Sequence, residues 1–187
     1  IKLKDIFWAG KEKKDKDSSP IAASTDKNNI VETSNNRIYY YSEVSRQKIL
    51  ALNKSLQTLN DNLLNQAQLL SLEGPANIYL HINSFGGSVF AGLSAVDYVK
   101  SCEVPVVTIV EGCAASAATL FSLVGSHRQI RNNSFMLIHQ ISSGMWGKYE
   151  ELKDSLDNCD LFMQIIKDIY NEHTKIPKKK LNEILKH

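Results

Sequence analysis

Four times after residue 36 a short β-prone or apolar run gives way to a segment with helical spacing, and three of these changes fall at glycines. Arg37-Ile38-Tyr39-Tyr40-Tyr41 is rich in β-formers. Across 43–72, apolar residues recur at Leu52, Leu56, Leu59, Leu63, Ala67 and Leu70, steps of three and four that predict one amphipathic helix ended by Gly74-Pro75. Ile78, Leu80 and Ile82 alternate with Tyr79 and His81, Gly86-Gly87 interrupts, and Ser88 opens a second helix to Val99. The rhythm continues with a strand over 104–110, a break at Gly112, a helix over 116–124 and a strand over 134–139. A loop with Gly144 and Gly147 then leads to a helix over 149–173, striped with Leu152, Leu156, Cys159, Met163, Ile166 and Tyr170. Strand–helix alternation with short connections predicts an α/β fold of parallel strands joined by right-handed crossovers. The strands read as too apolar to face water on both sides of the sheet.

Composition removes several classes. A chain of 187 residues suits one α/β domain, and 43% hydrophobic residues with a net charge of +2 exclude wholesale disorder. The 22 basic residues nearly cancel against 20 acidic ones, which argues against a strongly basic nucleic-acid binder. Cys102, Cys113 and Cys159 form no CxxC pair and read as buried thiols of a reducing compartment, cytoplasmic or an organelle stroma or matrix, not secreted. Residues 1–36 are polar and aperiodic, a mobile arm with one short ordered piece at 6–8, and they lack the apolar core of a signal peptide. Beginning at Ile1 without an initiator Met, the chain reads as an internal piece of a longer product. The one stretch that could imitate a membrane span, 104–125, carries Pro105, Glu111 and several hydroxyls, so no membrane is expected.

In parallel α/β sheets reactive groups gather at the carboxyl ends of strands. Three ends draw notice. Asn83-Ser84-Phe85-Gly86-Gly87-Ser88 places paired glycines where a strand stops, suiting an oxyanion hole or a phosphate nest, although a plain tight turn has the same composition. Glu111-Gly112-Cys113-Ala114-Ala115-Ser116-Ala117-Ala118 surrounds one serine with small residues at a strand-to-helix turn, the logic of a nucleophile elbow or simply an N-cap. Phe135-Met136-Leu137-Ile138-His139-Gln140 ends an apolar strand in a histidine, a general base or a hydrogen-bonded core residue. Singly each signal is weak, but a glycine 29 residues before the serine and a histidine 23 after it make an ordered set. His81, His127, His173 and His187 have no comparable setting and read as structural or exposed. Candidate ligands lack metal-site spacing, and neither a P-loop nor GxGxxG is present, so no metal or cofactor is expected.

From 37 to 187, the sequence resembles the Clp protease proteolytic subunit family, most specifically in NSFGGS at 83–88, GCAAS at 112–116 and MLIHQ at 136–140. The resemblance implies a crotonase-like fold of repeated strand–turn–helix units and a serine endopeptidase that cuts unfolded polypeptide inside stacked heptameric rings. These would be homomeric or mixed with a paralogue, and fed by an ATP-driven AAA+ unfoldase. By motif it implies Ser116 as nucleophile, His139 as its base, Gly87 and Ala117 as oxyanion-hole donors, and Gly86 and Ser88 as substrate-binding. The segment 140–173 matches the handle that joins the rings, and the polar arm matches the axial pore segment. Phe85 stands where the family has proline, Ala117 where it has methionine, and the triad aspartate would fall one position past His187. Asp160 and Asp168 match no triad position.

Two other readings compete. One is a catalytically weak or inactive ring subunit of the same fold, against which intact Ser116 and His139 argue. The other is a crotonase-fold enzyme acting on an acyl-thioester, which predicts no nucleophile. Lys178-Lys179-Lys180 reads as a solvated run, not a nucleic-acid site.

Overall fold

A computed structural model describes residues 30–141 and 148–186. Its sheet has six strands: β1 (Ile30–Ser34), β2 (Arg37–Tyr41), β3 (Ile78–Ser84), β4 (Val106–Ala115), β5 (His127–Ile130) and β6 (Phe135–Leu137). Five helices alternate with them: α1 (Arg46–Leu69), α2 (Val89–Ser101), α3 (Ala117–Leu123), α4 (Tyr149–His173) and α5 (Lys178–Ile184). The spatial order is β1-β2-β3-β4-β5, with β6 also on β4. Pairing is parallel throughout except between β1 and β2. The predicted α/β class and the parallel alternation are therefore present.

One face of the sheet carries the core. Ile38 and Tyr40 of β2, with Ile78, Leu80 and Ile82 of β3, pack with Ile49, Leu52 and Leu56 of α1, Ala95 and Val99 of α2, and Leu120 and Phe121 of α3. Helix starts follow local chemistry: the Ser45 side chain accepts the Lys48 N–H to begin α1, and Ser88 does the same for Ala91 at α2. At α4, the Glu151 carboxylate accepts the Lys148 N–H at 2.9 Å, and Glu150 and Glu151 face the positive end of the helix dipole.

Five details differ from the sequence expectation. The sheet starts before residue 36: β1 lies antiparallel on β2 across a turn in which Asn35 takes a φ of 52°, a left-handed conformation asparagine tolerates. Gly112 does not end its strand, because β4 runs on to Ala115 with Gly112 at a φ of 78°. The polar run His127–Ile130 is a strand, held by backbone pairing to β4. Strands β5 and β6 are exposed in the single chain, so the expectation that the strands do not face water on both sides of the sheet fails at this edge. The three cysteines are half-buried, not buried. The arm at 1–29, its ordered piece at 6–8, the Gly144 and Gly147 loop, and His187 lie outside the described residues. Among the described residues, no helix is long and apolar enough to cross a membrane.

Candidate active site

Strand β4 delivers Ser116 to its position and α3 begins immediately after it. The serine adopts φ 52° and ψ −127°, a backbone region that non-glycine residues rarely enter and that costs about 1–3 kcal/mol. Its surroundings hold it there. The Ser116 N–H donates to Leu137 O at 2.9 Å, while Ser116 O accepts from the Thr119 N–H at 2.9 Å and from Thr119 Oγ1 at 2.6 Å. Thr119 Oγ1 also meets the hydroxyl of Tyr170. Since the threonine proton is already given to Ser116 O, Tyr170 is the donor in this second bond. Burial pushes the Tyr170 phenol above its ordinary pKa, with the Thr119 bond opposing, so the phenol keeps its proton. Helix α4 thereby supports the Ser116 turn through a relay of two hydroxyls.

The Ser116 hydroxyl makes no capping bond to α3. That separates it from the N-cap serines Ser45 and Ser88, whose oxygens accept helix N–H groups. Ser116 lines a cleft with Gly87, Ala117, Leu120, His139, Ile166 and Tyr170, among others. His139 sits two residues past β6, half-buried, with Nδ1 at 2.6 Å from Gln140 O. A carbonyl only accepts, so Nδ1 carries a proton, which leaves Nε2 as the nitrogen able to exchange one. A serine hydroxyl without a capping bond and an imidazole whose Nδ1 is held by a carbonyl thus belong to one cleft.

Close backbone approach explains the glycine pair. A Cβ on Gly86 would stand 2.6 Å from Ala115 O and 2.7 Å from Ser116 Cβ, and one on Gly87 would stand 2.4 Å from Val44 O. Val44, just ahead of α1, clamps this loop. Its N–H donates to Gly86 O at 2.8 Å, and its carbonyl accepts from the Ser88 N–H at 2.7 Å. This ladder passes over the Gly87 N–H. The Ala117 N–H, in the first turn of α3, has no intrahelical acceptor. Two backbone donors therefore lie beside the serine.

Four of the six nominated residues, Ser116, His139, Gly87 and Ala117, line the cleft together. Gly86 and Ser88 stand behind it with their polar groups engaged inside the chain. The Gly86 N–H donates to Ser84 Oγ, and Ser88 Oγ accepts from Ala91. Sequence reasoning missed Val44, which lies in no motif, and gave no role to Gln140, the last residue of the MLIHQ segment. Tyr170 stood in the α4 stripe without a role, and its spacing of four from Ile166 was the available signal.

The Clp protease family profile matches residues 32–187. Among curated proteins, the chain is similar to the ATP-dependent Clp protease proteolytic subunit of Deinococcus radiodurans. Identity is 30% over 145 residues, which is 75% of this chain and 71% of that protein. The match takes in every strand from β2 onward, the strained Ser116 turn and the cleft beside it. The chain belongs to the Clp protease family, a family of peptidases.

Proposed function

We propose that this chain is a serine endopeptidase subunit with a crotonase-like fold, in which Ser116 is the nucleophile and His139 the general base. The observation that carries this reading is the Ser116 turn: a non-glycine residue at φ 52° between a strand and a helix, its hydroxyl free of capping duty, in a residue that lines the same cleft as His139. Strain of this kind persists only where the surrounding structure enforces it, and it concentrates at working sites.

In the proposed reaction the Ser116 hydroxyl attacks the carbonyl carbon of a peptide bond while His139 Nε2 takes its proton. The tetrahedral oxyanion receives the N–H groups of Gly87 and Ala117, each worth about 3 kcal/mol of barrier. The imidazolium returns its proton to the departing amine, leaving an acyl-serine, and water activated by the same Nε2 releases the acid. The Gln140 carbonyl supports this by holding the Nδ1 proton, so that Nε2 is the accepting nitrogen. Gly86 and Ser88 shape the wall of the substrate groove, with Val44 pinning both.

The same reading extends to assembly. The relative's name couples proteolysis to ATP, which supports an AAA+ unfoldase partner supplying unfolded polypeptide. Ring formation, homomeric or mixed, is supported by apolar surface that a single chain leaves open, including Phe135 and Leu137 on β6 and Leu156 and Leu161 on α4.

Hydrolysis of a fluorogenic peptide and of an unfolded protein by the unmodified chain, Ser116→Ala and His139→Ala tests the assignment. Both substitutions are expected to lower kcat by at least about 10⁴, as loss of a nucleophile or its base does. Full activity in Ser116→Ala would overturn it.

A further inference from the structure

Strand β4 changes partners in mid-course. Val107–Val110 pair with β5, whereas Cys113, Ala114 and Ala115 pair with β6. On its other side the register with β3 jumps from Ile82↔Val110 to Ser84↔Ala114, two residues against four. Glu111 and Gly112 therefore fall in a bulge without a ladder partner in either neighbour. Past this bulge β4 ends one residue before Ser116, and the strand that joins it there, β6, ends two residues before His139. The relative position of the two cleft residues thus depends on the β4–β6 register.

Within the single chain that register is poorly specified by burial. Strand β6 has three residues, all exposed, with Phe135 at 66% and Leu137 at 57%. Register is fixed strongly only where one face of a strand is buried. A slip by one residue would carry His139 about 3.3 Å along β4 and turn its side chain to the opposite face.

Three contacts at the bulge compensate. The Arg131 N–H donates to Val110 O at 3.0 Å, the Gly112 N–H donates to Ser134 Oγ at 2.7 Å, and the Arg131 guanidinium meets Glu111 Oε1 at 3.1 Å through both Nε and Nη2. Residues 131–134 are the turn that launches β6, closed by the Ser134 N–H to Arg131 O at 3.0 Å. Glu111 is itself aimed from the sheet. Tyr41 Oη donates to Oε2 at 2.7 Å, and His81 Nδ1 lies 2.9 Å from Oε1. His81 is 3% exposed, and its Nε2 faces Arg37 Nη1 at 2.9 Å. Because arginine only donates, Nε2 accepts and the Nδ1 proton points at Glu111. Strands β2 and β3 so preset the carboxylate that receives Arg131.

We propose that Glu111 and Arg131 are positioning residues, a pair that sets the β4–β6 register and through it brings His139 to Ser116. The role deepens the serine-peptidase reading and rests on it for its catalytic consequence, but its structural half stands apart. The test uses the full chain with Arg131→Met, Arg131→Lys, Glu111→Gln and the Glu111→Gln/Arg131→Met double variant, read in two ways. First, amide hydrogen exchange at Ser116, whose N–H is donated to Leu137 O, reports the register directly. Exchange there is expected to rise about tenfold or more in Arg131→Met and Glu111→Gln, with Leu80 and Ile82 of β3 unchanged. Second, peptide hydrolysis is expected to lose kcat about 10- to 100-fold with KM within twofold, as a misplacement near 1 Å does. Arg131→Lys should recover part of both losses, and the double variant should be no worse than the worse single one.

Unchanged Ser116 exchange in Arg131→Met and Glu111→Gln would overturn the proposal whether or not the chain is active. Multiplying losses in the double variant, or a change in KM alone, would do the same. Faster Ser116 exchange in a chain whose hydrolysis does not depend on Ser116 would keep the register pair and reject the peptidase reading.

Discussion

At single residues the cleft depends on conformations that only certain side chains permit. Gly86→Ala adds a methyl against Ala115 O and Ser116 Cβ at a φ of 95°, so both the space and the dihedral oppose it. The variant is expected to lose about 1–3 kcal/mol and several degrees of unfolding temperature, readable by calorimetry. Glu111 provides a test by pH. Burial pushes its carboxyl up, but hydrogen bonds from Tyr41, His81 and Arg131 outweigh this and hold it below the ordinary value of 4.5. Folding therefore gains from the ionised form. That gain is complete above the ordinary value and is lost as pH falls through the lowered one. Denaturant midpoints of the unmodified chain and Glu111→Gln should differ at neutral pH and converge in acid; a constant offset would contradict the assignment. Much at this scale was readable in advance. Paired glycines and a serine among alanines declare a need for space, and His139 closes an apolar run. Glu111 was not readable as a partner of His81 and Arg131, because that contact requires the sheet to exist first.

Among the elements, α4 is the one whose fate the stripe only half foretold. Its spacing predicted an apolar seam from Leu152 to Tyr170, yet only Ile166 and Tyr170 are buried, and Leu156 and Leu161 stand open. The helix docks by its C-terminal half, where Phe162 meets Phe90 of α2 edge-on and Tyr170 reaches Thr119 on α3. Tyr170→Phe keeps the ring and removes the donor. It is expected to cost about 0.5–1.5 kcal/mol in chemical denaturation. Strands β1 and β5 escaped the pattern for physical reasons. Ile-Val-Glu-Thr-Ser and His-Arg-Gln-Ile lack apolar alternation, and each becomes a strand by lending its backbone to a neighbour. The Asn35-Asn36 pair between two β-prone runs was the turn signal for β1. Gly112 looked like a stop because glycine also punctuates turns, whereas here it marks the bulge at which β4 exchanges β5 for β6.

Over the whole molecule, the parallel sheet brings three separate carboxyl-end loops to one cleft. One comes from β3 with the glycine pair, one from β4 with Ser116 and one from β6 with His139. Such convergence follows from topology, which is why order and spacing along the chain were informative when no single motif was. The exposed strand edge and the open half of α4 mark surface that a lone chain does not cover, consistent with the proposed ring assembly. The central claim is that the Ser116 hydroxyl is activated by its setting, and intact-mass analysis after a fluorophosphonate tests it most directly. The account predicts one adduct per chain, mapped to Ser116 and lost in both Ser116→Ala and His139→Ala. An adduct that survives Ser116→Ala, or no adduct on the unmodified chain, would contradict it.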